Sequence, residues 1–165
     1  MKFMLTCEEM DGLVFIDKNS LTELDGNLLY SMDIFLDPSG KSELVYDFPD
    51  ETWDAVRMRE TQPVKEFCNS GKMIIWSFQN TEKECEIVSS NKIPAFPKWL
   101  YIPSGSLLAV SASELIQCLS YPELEMETFF ELETEAGWYA FWNEGTDKIM
   151  FCKKEPQNTI IQNIK

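Results

Sequence analysis

The sequence contains no histidine among its 165 residues. Histidine is the commonest general base and a frequent metal ligand, so its absence removes the Ser-His and Cys-His catalytic pairs and most transition-metal sites. The phosphate-binding patterns GxxxxGK[ST] and GxGxxG and the nucleophile pattern GxSxG are also missing. Carboxylates are abundant, but no pair of them stands out as a catalytic dyad. The sequence therefore predicts a binding protein and no enzyme, with no metal and no cofactor.

Basic residues are scarce. Lys and Arg number 14 against 28 Asp and Glu, which gives a formal charge of -14. Such a charge repels nucleic-acid phosphates and anionic membrane surfaces and attracts basic partners. No stretch approaches the ~20 apolar residues of a membrane span, and Glu8 and Glu9 interrupt the region where a signal peptide would be apolar. We expect a cytoplasmic protein with a basic protein partner, no direct nucleic acid and no membrane.

The cysteines are few and scattered. There are five, with no CxxC pair, which argues against a disulfide framework or a zinc knuckle and predicts reduced, mostly buried thiols. The chain is near the size of one domain, and hydrophobic residues at 44% suffice for a core. A single domain over residues 1–165 is predicted, in which the polar residues 156–165 form a flexible tail.

Hydrophobic periodicity and turn residues predict an α+β, mostly β fold. The expected architecture is a curved antiparallel sheet or sandwich with one or two short helices. Strands are predicted at residues 12–17 and 28–37, and a helix begins near Asp50. Residues 72–79 and 84–90 are predicted to form a hairpin.

The second half of the chain has clearer signals. Residues 99–102 and 106–110 flank the turn Pro103-Ser104-Gly105, which predicts a second hairpin. The segment from Ser111 to Glu114 matches a capping box and predicts a short helix that ends near Leu119. Three closing strands are expected near residues 123–133, 137–143 and 147–153.

The most informative stretch is a run of alternating glutamates. Alternate residues of a strand share a face, so one face would show six glutamates around an aromatic while Leu124, Met126, Phe130 and Leu132 point to the core. No Lys or Arg lies between Lys98 and Lys148. Two interpretations remain open, a solvated face that aids solubility and protects an edge, or a docking face for a basic partner. The candidate residues are Glu123, Glu125, Glu127, Phe129, Glu131, Glu133 and Glu135.

Aromatic residues follow directly. Trp138 and Trp142 share one face of the next predicted strand, and Tyr139 and Phe141 share the other. One interpretation is a strand covered on both sides, because aromatics mostly serve cores. The other makes Trp138 or Trp142 an exposed anchor beside the acidic face, since tryptophan is common in binding hot spots.

The glutamate run and the frame Pro103-Ser104-Gly105-x-Leu107 … Ala136-Gly137-Trp138-Tyr139 resemble the small acidic bacterial immunity proteins of polymorphic and contact-dependent toxin systems. The frame is also similar to the end of the bacterial competence-nuclease inhibitor, where a turn glycine and a nearby tyrosine open a late strand. The resemblance covers roughly residues 99–152.

The resemblance implies an immunity protein that binds and neutralises a cognate basic, nuclease-like toxin domain. Its glutamates would pair with the basic groups that the nuclease uses for phosphate, and a central aromatic would fill the cleft. One alternative is a nucleic-acid mimic or adaptor that docks a host DNA-binding protein, which the same charge pattern allows. A carboxylate-based enzyme or sugar-binding domain is a weaker alternative and would require a deep cleft lined by two carboxylates and aromatics.

Overall fold

The structure is a computed structural model that describes residues 2–7, 12–37, 50–77, 81–88, 92–145, 148–157 and 161–164. Within these residues there are nine β-strands, four α-helices and a short 3₁₀ helix at Lys18–Glu23. The helices are α1 (Gly26–Leu36), α2 (Trp53–Glu60), α3 (Gln62–Asn69) and α4 (Ala112–Ser120). The strands are β1 (Lys2–Cys7), β2 (Gly12–Asp17), β3 (Met73–Ser77), β4 (Thr81–Ile87), β5 (Lys98–Ile102), β6 (Ser106–Ser111), β7 (Phe130–Glu133), β8 (Gly137–Glu144) and β9 (Lys148–Lys153).

The strands form two sheets. The five-stranded sheet has the order β1-β4-β9-β8-β5 and is antiparallel except between β4 and β9. The four-stranded sheet has the order β3-β2-β6-β7 and is antiparallel throughout. The predicted α+β, mostly β class is therefore confirmed, with more helix than the one or two short helices expected.

The core lies in two layers. Between the sheets, the ring of Phe15 on β2 lies 4.9 Å from that of Phe141 on β8, which stacks on Phe151 of β9 at 5.0 Å. On the other side of the four-stranded sheet, Ile16 packs with Met32 of α1 and with other residues of the helices. Both faces of β2 are therefore covered, which explains why its sequence is a continuous apolar run.

The cysteine prediction is confirmed where the structure describes the side chains. Cys68, Cys85, Cys118 and Cys152 are free and buried, whereas the side chain of Cys7 lies outside the described residues. Burial raises the pKa of the Cys68 thiol to about 12, so this group stays protonated at neutral pH.

Residues 28–37 were predicted to be a strand, and this prediction is wrong, because they lie in α1. Asp25 caps the helix, and its Oδ1 accepts the backbone N–H of Leu28 at 2.9 Å. Leu29 and Met32 recur at helical spacing on the buried face. The pair Asp25-Gly26, which resembles a turn, is a helix start, since aspartate serves both purposes.

The predicted helix near Asp50 is confirmed as α2, where Thr52 Oγ1 accepts the N–H of Ala55 at 3.3 Å. The helix α3 follows after Thr61 and has a proline at its first turn, a favourable place for that residue. The predicted cap of α4 is also confirmed, because Ser111 Oγ accepts the N–H of Glu114 at 3.2 Å. This helix ends at Ser120, close to the expected Leu119.

Both predicted hairpins are wrong in their pairing, although their strands exist. β3 belongs to the four-stranded sheet and β4 to the five-stranded one. Residues 78, 79, 89 and 90 of this predicted hairpin lie outside the described residues. In the same way β5 pairs with β8, whereas β6 pairs with β2 and β7. The predicted turn at Pro103–Gly105 is thus a corner where the chain crosses from one sheet to the other.

This corner is held by a buried carboxylate and a glycine. Asp17 Oδ1 accepts the backbone N–H of Ser104 at 3.1 Å and its hydroxyl at 2.6 Å. Gly105 adopts a φ of 74°, in the left-handed region that side chains disfavour, and a Cβ there would lie 2.8 Å from the carbonyl oxygen of Thr134. The sequence therefore predicted the sharp turn correctly, but it did not indicate which sheet the chain enters after the turn.

Asn163 belongs to the tail that the sequence predicts to be flexible, and its side chain is 1% exposed. The Nδ2 group of Asn163 lies within hydrogen-bonding distance of the carbonyl oxygens of Cys68 at 2.8 Å, Met73 at 3.2 Å and Trp99 at 2.7 Å, and its two hydrogens are shared among these three acceptors. Its Oδ1 accepts the backbone N–H of Trp99 at 2.8 Å. The tail thus joins α3, β3 and the edge strand β5.

Candidate protein-binding surface

The alternating glutamates do not form one strand face, contrary to the sequence prediction. Only Phe130–Glu133 is a strand, and residues 121–129 run from the end of α4 without regular pairing. Within β7 the alternation holds, since Glu131 and Glu133 face solvent. Phe130 and Leu132 are buried as predicted, whereas Leu124, expected in the core, is 44% exposed.

Residues 121–129 are fixed by side chains of α4 and by β6. Glu114 Oε1 accepts the backbone N–H of Glu127 at 3.1 Å, and the Cys118 thiol donates to the carbonyl of Glu125 at 3.5 Å. The N–H of Phe129 donates to the carbonyl oxygen of Ala109 at 2.8 Å. The segment therefore has a defined path along α4, although it lacks the hydrogen bonds of a strand.

The six glutamates of this segment are all exposed, and two of them have lysine partners that are distant in sequence. Lys18 Nζ lies 2.6 Å from Glu131, and Lys153 Nζ lies 3.2 Å from Glu135. The hydrogen bond from Lys18 lowers the pKa of Glu131 and raises that of Lys18. The mutual repulsion of these closely spaced carboxylates is thus partly relieved. Within the described part of the chain, no Lys or Arg forms an ion pair with the remaining four, Glu123, Glu125, Glu127 and Glu133.

The aromatic residues predicted to anchor a partner lie mostly inside the fold. Phe129 is half-buried and packs on the core between the sheets. Trp142 is 8% exposed and packs with Met150, so for this residue the covered-strand interpretation is correct. Trp138 is half-buried and stacks on Tyr101, with ring centroids 5.0 Å apart. Of the three, Phe129 and Trp138 keep part of their surface exposed, whereas Trp142 is buried.

Two exposed apolar residues escaped the sequence analysis. Tyr121 is 57% exposed and Leu124 is 44% exposed, and the N–H of Leu124 donates to the carbonyl of Tyr121 at 3.0 Å. Both lie in the turn that links α4 to the glutamate segment. The strand interpretation assigned Leu124 to the core by alternation, and the turn-forming Pro122 between the two residues was the signal that could have corrected it.

A groove runs between α1 and α4. It consists of two neighbouring hollows of about 480 and 470 Å³ that share Asp33, Ile116 and Ser120 in their walls. Asp37 and Tyr121 line the second hollow. Two effects raise the pKa of Asp33: partial burial is the larger, and repulsion from the carboxylate of Asp37 is the smaller.

The described residues contain no cluster of three or more Cys, Asp or Glu side chains arranged to hold a metal ion. None of the helices in that part of the chain is long and apolar enough to cross a membrane.

The sequence matches no family model and no curated protein. Among solved structures, the chain is similar to one titled "Crocagin biosynthetic gene J", with 13% identity and a TM-score of 0.41. The similarity covers 93% of this chain and 96% of that one. At this identity and TM-score it carries no argument about function.

Proposed function

We propose that the protein is an acidic, cytoplasmic immunity protein that binds and neutralises a cognate basic toxin domain of the nuclease type. The observation that supports the proposal is the exposure of all six glutamates between residues 123 and 135, of which only two form ion pairs in the described residues. Together they form a strongly negative surface beside an edge strand. Such a surface speeds association with a basic partner and orients it.

The glutamates would neutralise the toxin by occupying the basic groups that hold its phosphate substrate. Ion pairs with Lys18 and Lys153 restrict the side chains of Glu131 and Glu135 in the free protein. Less conformational entropy is therefore lost when these side chains bind a partner. Glu133 lies on the same outward face of β7 as Glu131 and has no cation of its own among the described residues. Trp138 is half-buried and remains a candidate contact residue, whereas Phe129 packs on the core between the sheets and Trp142 packs with Met150.

A nucleic-acid mimic is less well supported. Mimicry of a duplex requires a long, regular array of charges, because DNA carries one charge per ~1.7 Å of its axis. Here a regular spacing exists only within the four residues of β7, and residues 121–129 follow an irregular path.

A carboxylate-based enzyme or sugar-binding domain would use the groove between α1 and α4, which has acidic and aromatic side chains. Asp33 and Asp37 both belong to the α1 side of it. Glycosidases place their carboxylates on two sides of the scissile bond, ~5–9 Å apart. Two carboxylates one turn apart at the end of a single helix suit the binding of a cation better than such chemistry.

The test is binding to the product of the neighbouring gene, measured by calorimetry at two salt concentrations. The variant Glu125→Lys with Glu133→Lys changes two exposed glutamates without disturbing an ion pair. The matched control is Glu144→Lys with Glu155→Lys, which makes the same change of net charge at exposed positions elsewhere. We expect the first variant to bind about 10-fold or more weakly, which corresponds to ~1.4 kcal/mol, and with a flatter salt dependence. Equal affinity of both variants, or no basic partner at all, would contradict the proposal.

A further inference from the structure

We propose that the groove between α1 and α4 receives an amphipathic, positively charged segment of the partner protein. The apolar side chains of that segment would enter the hollows, and a lysine or arginine would lie against Asp33 and Asp37. The inference takes the basic character of the partner from the function proposed above. It adds a second contact surface, on the helical side of the four-stranded sheet.

The shape of the groove suits a helix. Its walls are two helices, and the 11 residues of α1 span about 16 Å at 1.5 Å per residue. That length accommodates about three turns of an added helix, a common mode of peptide recognition in which apolar side chains occupy the groove at helical spacing. Leu24, Leu29, Ile116 and Leu119 lie in the wall of the first hollow beside polar side chains, and Leu36, Ile116 and Tyr121 contribute to the wall of the second.

The charge of the groove selects a cationic ligand. Asp33 lies in α1 and Asp37 caps its C-terminal end, and both line the second hollow. The described residues that line the groove include no Lys or Arg. An ammonium or guanidinium group between these carboxylates would relieve their repulsion, whereas an acidic or neutral segment would not.

The apolar rim of the groove is continuous with the acidic segment. Tyr121 lines the second hollow and is 57% exposed, and Leu124 beside it is 44% exposed. Glu123 and Glu125 flank Leu124 in the chain, and both are exposed. Tyrosine is among the residue types enriched in binding hot spots, and an exposed apolar patch bordered by carboxylates suits a basic, amphipathic partner. These two residues would take the anchoring role that the sequence predicts for Phe129 and for Trp138 or Trp142.

The test uses the full chain and a defined probe, a synthetic 14-residue helix with leucines on one face and lysines on the other. Two control peptides have the same composition in scrambled order, or glutamate in place of lysine. Backbone amide shifts are followed by NMR during titration. The variants are Asp33→Lys, and Tyr121→Ser with Leu124→Ser. The matched controls are Phe96→Ser, which removes an aromatic that is 97% exposed and does not line the groove, and Glu144→Lys.

The expected result is that the amphipathic peptide shifts resonances of α1, α4 and Tyr121 and that both groove variants weaken its binding about 10-fold, while the controls leave it unchanged. The scrambled and acidic peptides should not produce these shifts. Shifts confined to residues 131–135, equal binding of the scrambled peptide, or no binding would each overturn the inference.

The two proposals can fail separately. If the partner protein binds the wild type and the Asp33→Lys variant equally well but does not bind the variant with Glu125→Lys and Glu133→Lys, only the inference about the groove is overturned. A peptide that binds in the groove of a protein with no basic partner would support the groove and contradict the immunity function.

Discussion

Replacement of Asn163 by alanine should destabilise the fold strongly. The side chain makes four hydrogen bonds with backbone groups of Cys68, Met73 and Trp99, and it is 1% exposed. A net hydrogen bond contributes about 1 kcal/mol, and a buried group left without a partner costs about 1–3 kcal/mol. Because water can reach some of the freed groups, we expect a loss of about 3 kcal/mol in the free energy of unfolding.

Urea unfolding followed by tryptophan fluorescence measures this loss. With a slope of about 2 kcal/mol per M of urea, the midpoint should fall by about 1.5 M. The matched control is Gln162→Ala, which truncates the exposed neighbouring residue and should change stability by less than about 0.5 kcal/mol. If the two variants unfold at the same urea concentration, the hydrogen bonds of Asn163 do not hold the fold, and the prediction of a flexible tail was right.

Two further predictions concern the corner and the acidic surface. Gly105→Ala should lower the free energy of unfolding by about 1–3 kcal/mol, because residue 105 has a positive φ and its Cβ would lie close to the carbonyl of Thr134. In the control Gly26→Ala the new Cβ meets nothing within 4 Å, so this variant should be neutral or stabilised by up to about 1 kcal/mol. Equal thermal stabilities of the two variants would refute the strain at Gly105. In Lys18→Met the pKa of Glu131, followed by NMR, should rise toward its ordinary value of 4.5. The wild-type pair should lose its stabilising effect as pH falls through the depressed folded pKa of Glu131, and an unchanged titration would show that the pair is absent in solution.

The strands were easier to predict than their partners. Apolar runs at residues 12–17, 137–143 and 147–153 are local signals, and the described residues of each form a strand. Pairing depends on tertiary contacts, such as the hydrogen bonds from Ser104 to Asp17 that direct the corner between the sheets. A turn signal reports a reversal of the chain and carries no information about the sheet that the chain enters next.

The acidic surface also shows that local sequence does not reveal tertiary contacts. Alternation predicted the outward direction of Glu131 and Glu133 correctly because they lie in β7. It failed for Leu124, since residues 121–129 take their backbone partners from α4 and β6, elements that local sequence cannot place beside them. The lysines that pair with Glu131 and Glu135 were missed for a related reason, because they are distant in sequence.

The polar composition of the tail is typical of disorder and gives no sign of the contacts that Asn163 makes. Asn163 stabilises the fold through hydrogen bonds to three backbone carbonyl groups, each of which belongs to a different helix or strand. Composition predicts solvation for such a residue, and only the assembled structure reveals the buried site that it fills.

The position of β4 has a consequence for the rate of folding. This strand lies between β1 and β9, with Lys2 opposite Glu86 and Glu84 opposite Lys148. The strands β1, β4 and β9 are far apart in the sequence, so long loops must close before the contacts between these strands can stabilise the fold. The strands β8 and β9 are adjacent in the chain and can pair early. We expect the β8–β9 hairpin to form first and β1 and β4 to join it last. Folding should therefore take milliseconds to seconds, as in other proteins dominated by non-local strand pairing.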